Sequence, residues 1–125
     1  MRLEIHKDVL AELRRITAGR QEKYGRILLD LKDLQLEPEP SAHGWRMASS
    51  RVRCLCQQNY KIRKLTLKVN LPNYRLFYLY DAAHDFISVL EIARRNKSTY
   101  SLNAAHIQRA IAKYQDFYRR QPWTD

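Results

Sequence analysis

From Ser41 to Tyr80 the chain contains no aspartate and no glutamate. Eight cations fall in the same interval: Arg46, Arg51, Arg53, Lys61, Arg63, Lys64, Lys68 and Arg75. A solvated surface ordinarily mixes both signs, so a stretch with one sign alone is suited to holding an anion. The whole sequence leans the same way, with 23 Lys+Arg against 13 Asp+Glu and a net charge of +10. Nucleic acid is the commonest partner of such a chain; the alternatives are a basic face that serves only solubility and one neutralised by an acidic protein.

Other scarcities narrow the field. Cys54 and Cys56 are the only cysteines. Read as two residues apart on a strand, they point to one face and are poorly placed to bond each other, and no further Cys or His stands at metal-ligand spacing. Reduced, packed thiols are expected, with no metal and no cofactor. Glycine occurs only at 19, 25 and 44, which supplies no Gly-rich phosphate loop. His6, His43, His84 and His106 fit no Ser/His/Asp arrangement and are expected to be structural or exposed. No run approaches about 18 apolar residues, and "MRLEIHKDVL" lacks the apolar core of a signal peptide. A soluble cytoplasmic chain with no membrane partner is expected, and 125 residues suit one domain, 1–125.

What is present reads in order. "RLEIH" alternates as a short strand, and Asp8 is the expected N-cap of a helix bearing Val9, Leu10, Leu13 and Ile16, which Gly19 stops. A second helix from about Arg20 to Gln35 ends at Pro38-Glu39-Pro40. Residues 41 to 50 have turn composition. Strands are expected over Arg51–Gln57, Tyr60–Val69, Tyr74–Tyr80 and Phe86–Arg94, with a turn at Asn70–Asn73, and a last helix over about 102–119. Strands joined this briefly pair antiparallel. The expected fold is α+β: an N-terminal strand and helical hairpin packed on a three- to four-stranded antiparallel sheet, core about 2–100, one sheet face partly open.

Two strands carry the chemistry. "KIRKLTLKV" places Lys64, Thr66 and Lys68 on one face, and a short turn brings Lys68 towards Arg75 on the next strand, a like-charge pair that an anion would relieve. In "NYRLFYLYD" either the tyrosine face or the Phe77–Leu79 face enters the core; alternation alone leaves both open. "VLEIARRNKSTY" begins as a buried strand and exits through Arg94, Arg95 and Lys97 to Tyr100, although folding requires no cations there.

"LEIHKDVLAELRRI", the Pro-terminated second helix, "YKIRKLTLKVNLPNYRLFYLYD" and "VLEIARRNKSTY" together resemble the RelE/ParE superfamily of bacterial toxins, in the right order from about residue 3 to residue 100. The resemblance implies a small intracellular toxin. RelE-like members are mRNA endoribonucleases, commonly acting in the ribosomal A site and silenced by a cognate antitoxin, whereas ParE-like members poison DNA gyrase. Matched by position, Arg75, Arg95, Tyr100 and Lys68 become the expected catalytic set, with Arg94 and Lys97 as their basic neighbours; Lys64, Arg63, Arg94, Lys97 and Arg53 are the expected RNA-binding residues. Two departures stand out: Thr66 replaces a family lysine, with Lys64 on the same face, and the segment 41–59 is longer than the usual link.

The expected reaction is attack by a ribose 2′-hydroxyl, which needs that oxygen deprotonated, the pentacovalent phosphate stabilised and the leaving 5′-oxygen protonated. Arginine keeps its charge, so Arg75 and Arg95 are expected to clamp phosphate. A cationic surround favours phenolate and neutral amine, which makes Tyr100 the expected base and Lys68 the expected acid; base stacking is the competing role for Tyr100. The alternative readings are a gyrase poison or a nucleic-acid-binding regulator without catalysis.

Overall fold

A computed structural model describes residues 1–122. β1 (Arg2–Ile5) leads into α1 (Lys7–Ile16) and α2 (Gln21–Lys32), which a 3-10 turn, Asp33–Gln35, extends. There follow β2 (Met47–Arg51), α3 (Arg53–Cys56), β3 (Ile62–Leu67), β4 (Leu71–Asp81), β5 (Phe86–Arg94) and α4 (Ala105–Arg119). The strands form one sheet in the order β1-β5-β4-β3-β2, with β1 parallel to β5 and the remaining pairs antiparallel. The fold is therefore α+β as expected, but the sheet is five-stranded and mixed. Among the described residues no helix is long and apolar enough to cross a membrane.

The fifth strand is β1, which joins the sheet beside β5, and a misread period displaces another. "RVRCLCQ" alternates like a strand, yet Arg53–Cys56 is one helical turn. The buried Leu55 of that turn and the buried Val52 that caps it are three apart, which is the spacing of one helix face. The strand lies just upstream, where Met47, Ser49 and Arg51 pair with Leu67, Leu65 and Arg63 of β3. Small polar residues with weak strand preference are held there by pairing to a strong neighbour. Cys54 and Cys56 thus lie on a helical turn rather than on one strand face, and both are free thiols.

Smaller corrections follow the same logic. His6, not Asp8, caps α1, its Nδ1 accepting from the Asp8 backbone N–H at 3.1 Å. The β3–β4 turn occupies residues 68–70, and β4 already begins at Leu71.

Each sheet face has its own core. On one, Val9 and Leu13 of α1 and Ile27 and Leu31 of α2 pack on Leu65, Leu76, Tyr78 and Val89. On the other, Ile107, Ala110 and Phe117 of α4, with Leu55 of α3, pack on Ile62, Phe77, Leu79 and Leu90. The two readings of "NYRLFYLYD" are thus both realised, the Tyr/Leu76 side against the helical hairpin and the Phe77/Leu79 side against α4.

A bulge in β5 pins α4. Phe77 pairs with Glu91 and Tyr78 with Val89, leaving Leu90 as the extra residue. Leu90 enters the α4-side core, and the buried Glu91 meets Arg109 at 2.9 Å and Lys113 at 3.2 Å on the helix. The face expected to stay open is in this way closed over most of its area. It remains accessible at one corner, formed by β2, β3 and the start of β4.

Candidate functional site

The open corner is a cleft of about 350 Å³. Its floor comes from alternation. Ile62, Lys64 and Thr66 share one side of β3, and because Ile62 is in the α4-side core, the other two must face the same way. Arg75 shares a side with Phe77 for the same reason, so it emerges where α4 no longer covers the sheet. Lys64, Thr66, Lys68, Arg75, Arg95 and Tyr100 all line the cleft, with Ala42, Ala48 and Ser50 on its β2 side.

Tyr100 returns to Arg75 because the chain turns sharply after β5. The Asn96 N–H donates to Thr99 Oγ1 and the Thr99 hydroxyl donates to Asn96 O, both at 2.7 Å. His106 Nε2–H donates to the Thr99 carbonyl at 2.6 Å, tying the turn to the start of α4. This answers why "RRNKSTY" follows a buried strand. Asn96 and Thr99 make the turn, and the turn aims Tyr100.

Three contacts then fix the phenol. Its ring stands edge-on to Phe77, centroids 6.2 Å apart, the Lys64 ammonium lies 4.1 Å from its centroid, and its oxygen accepts from Arg75 Nε at 3.1 Å. Arg75 Nη1 donates to the Pro72 and Tyr74 carbonyls at 3.0 and 2.8 Å. A guanidinium has five N–H donors, so Nη2 retains two with no acceptor among the described residues. Burial, and then the nearby Arg75 guanidinium, push the Lys64 ammonium below the ordinary lysine range.

Several cations elsewhere pair with carboxylates. Arg46 pairs with Asp33, Lys61 with Asp81, Arg63 with Glu39, Arg109 with Glu91 and Lys113 with Asp8 and Glu91. Among the described residues, Lys64, Lys68, Arg75 and Arg95 pair with no carboxylate, and no carboxylate lines their cleft. Four uncompensated cations around one small cavity repel each other unless an anion enters. No cluster of His, Cys, Asp or Glu suited to a metal occurs among the described residues.

Of the residues singled out in the sequence, Arg75, Arg95, Tyr100, Lys68 and Lys64 are brought together. Lys68 reaches the cleft from the 68–70 turn rather than from strand β3, since the β3–β4 register shifts between Leu65 and Leu67. The other four lie elsewhere. Arg63 faces the opposite side, where its Nε donates to Ser49 Oγ at 2.9 Å. Ser49 in turn donates to the Tyr78 hydroxyl at 2.6 Å, which donates to Pro38 O at 2.8 Å. Arg63 is thus part of a structural chain that holds the 38–40 segment on the sheet. Arg94 lines a separate hollow with Asp8, Glu12 and Glu91. Arg53 and Lys97 are exposed and do not line the cleft.

The sequence reading missed the β2 wall. "SAHGWRMASS" has turn composition, and only its pairing with β3 turns Ala48 and Ser50 towards the cations. Compared with protein-family models, curated proteins and solved structures, the chain matches none, so the cleft rests on its own residues.

Proposed function

We propose that this chain is a RelE-like mRNA endoribonuclease, acting on the ribosome and cutting by 2′-hydroxyl attack, without metal, in the cleft around Arg75. The single observation that carries the reading is the Arg75–Tyr100–Lys64 contact set, in which a guanidinium, a phenol and an ammonium touch within one uncompensated cationic pocket. The resemblance to the RelE/ParE superfamily supports it, and the strand–hairpin–sheet order agrees with it.

The geometry supports the following roles. Arg75 Nη2 and the Arg95 guanidinium take the non-bridging phosphate oxygens, where charge builds in the pentacovalent state. The Tyr100 oxygen accepts from Arg75 Nε, and in its phenolate form it takes the proton of the 2′-hydroxyl as general base. Phe77 and the Lys64 ammonium already occupy its ring surroundings, which favours proton transfer over base stacking. Lys64 becomes the acid in place of Lys68, because its lowered pKa lets it release a proton to the 5′-oxygen more readily. Lys68 supplies charge at the mouth, and a cognate antitoxin is the expected silencing partner.

Lys64 makes a pH prediction. The folded state disfavours its proton, so the cost is fully present below its folded pKa and fades as pH rises towards the ordinary lysine value of about 10.4. Lys64→Met is expected to raise Tm at neutral pH, with the gain shrinking at alkaline pH. In the cleavage rate, the wild-type alkaline limb is expected below about 10.4. Lys64→Arg keeps the charge but cannot release a proton, and is expected to lose about 10²- to 10⁴-fold in rate. Thermal melts and a pH–rate profile read both.

Thr66 favours a second reading, since a hydroxyl stands in the cleft where the toxins this chain resembles carry a lysine: a nucleic-acid binder without catalysis, or a gyrase poison. Expression in cells with primer extension separates the three. A nuclease leaves mRNA with new 5′-hydroxyl ends and halts translation. Intact transcripts with broken DNA would instead mark a gyrase poison, and intact transcripts with intact DNA a binder.

A further inference from the structure

Trp45 is 81% exposed, and among the described residues no aromatic ring packs against it. A free indole on a short loop forgoes the burial that ordinarily stabilises a tryptophan. The loop itself is firmly built. The Gly44 N–H donates to Ser41 O at 3.0 Å and the His43 N–H to Ser41 Oγ at 3.2 Å, and any side chain on Gly44 would collide with the Met47 carbonyl. Arg46 anchors the loop to Asp33 at the end of the helical hairpin.

Its placement matters more than its rigidity. Ala42, three residues before Trp45, lines the cationic cleft, and so does Lys68. The Lys68 N–H donates to the Arg46 carbonyl at 2.9 Å, so the residue following Trp45 is bonded to a cation at the cleft mouth. Val69, on the other flank of that bond, is also 60% exposed. The exposed indole thus belongs to the loop that borders the cleft proposed to take backbone phosphate, and aromatic platforms beside cationic grooves are how single-stranded nucleic acid is held.

We propose that Trp45 is a nucleobase platform: with a phosphodiester in the cleft, a neighbouring base of single-stranded RNA stacks on its indole. This rests on the cleft being an RNA site, but not on its cutting RNA. The 41–46 loop, part of the segment that sets this chain apart from the compact link of the toxins it resembles, would then add affinity beyond the phosphate contacts. Stacking tolerates any base, so the platform selects for unpaired RNA more than for sequence.

The test uses the full chain with Trp123→Phe, so that emission reports Trp45 alone, and a short fluorescein-labelled RNA carrying 2′-O-methyl on every sugar, which cannot be cut. Indole quenching is expected to saturate with the anisotropy rise of the label. Trp45→Ala is expected to weaken binding roughly 10- to 100-fold with the salt slope unchanged, while Trp45→Phe retains most of the affinity. Lys68→Gln is expected to lower the slope, by about 0.7 for a single strand. Unquenched emission in an RNA-saturated protein, or an affinity unchanged in Trp45→Ala, would overturn the platform and leave the nuclease reading standing. Quenching and binding without cleavage of unmodified mRNA on ribosomes would overturn the nuclease reading and leave the platform. No binding to the RNA, even at low salt, would overturn the platform together with the RNA site on which it rests.

Discussion

Arg75→Ala and Arg95→Ala are each expected to reduce single-turnover mRNA cleavage by about 10²- to 10³-fold, the loss typical of removing one donor to a developing oxyanion. The two arginines should answer differently to lysine. Arg75 uses Nε on Tyr100 and Nη1 on two carbonyls, which leaves Nη2 aimed by a rigid fork. A lysine has one point charge and no fork, so Arg75→Lys is expected to lose nearly as much as alanine. Arg95 is exposed and is positioned by its backbone, its N–H donating to Asn73 O at 2.9 Å. Arg95→Lys is therefore expected to keep a larger share of the rate. Neither change removes a buried apolar group, so circular dichroism and melting should remain close to wild type.

Phe77→Ala is expected to produce the largest stability effect among the residues that touch the site. The ring is fully buried and stands between Tyr100 at 6.2 Å and His106 at 5.8 Å. Emptying such a position costs about 3–5 kcal/mol, a large part of the roughly 5–15 kcal/mol that holds a domain. Melting is expected to fall by on the order of 10–20 °C. Phe77→Leu keeps most of the volume and should fold, yet it withdraws the edge on which Tyr100 leans. Its cleavage rate is expected to fall by more than its stability loss explains. In a Tyr100→Phe background, where proton transfer is already gone, the same change should add little.

Much of the architecture was legible because its periods are strong. β5 runs from Phe86 to Arg94, the span its alternation indicates, and α1 and α2 follow their apolar stripes. Legibility failed where local pattern and tertiary pairing disagree. "MASSR" is a strand through its hydrogen bonds to β3, a fact absent from its own composition. "RVRCLCQ" is a helical turn because Val52 and Leu55 both enter the α4-side core, a preference that seven alternating residues hide. The parallel pairing of β1 with β5 joins segments about eighty residues apart, and nothing short-range encodes it.

The site divides along the same line. Strand parity placed Lys64 and Arg75 correctly relative to their neighbours, and the exit of β5 led to Arg95 and Tyr100. The sequence did not reveal that Arg63, Arg94, Arg53 and Lys97 lie outside the cleft. A cation in a basic stretch can serve structure, as Arg63 does through Ser49 and Tyr78, and only the register reveals which face it takes. Lys64 and Lys68 were hard to rank for a related reason. Their order of proximity to Tyr100 depends on where β3 ends and on the register shift after Leu65.

The most direct test of the shared phosphate site is a double-mutant cycle on Arg75 and Arg95, read as single-turnover cleavage of a defined mRNA on translating ribosomes. If both guanidinium groups grip one phosphodiester, the Arg75→Ala/Arg95→Ala protein should be little slower than either single variant, because groups that act as a unit are strongly non-additive. Losses that multiply, as for independent sites, would contradict a single clamp, and cleavage undiminished in either single variant would contradict the cleft as the place of reaction.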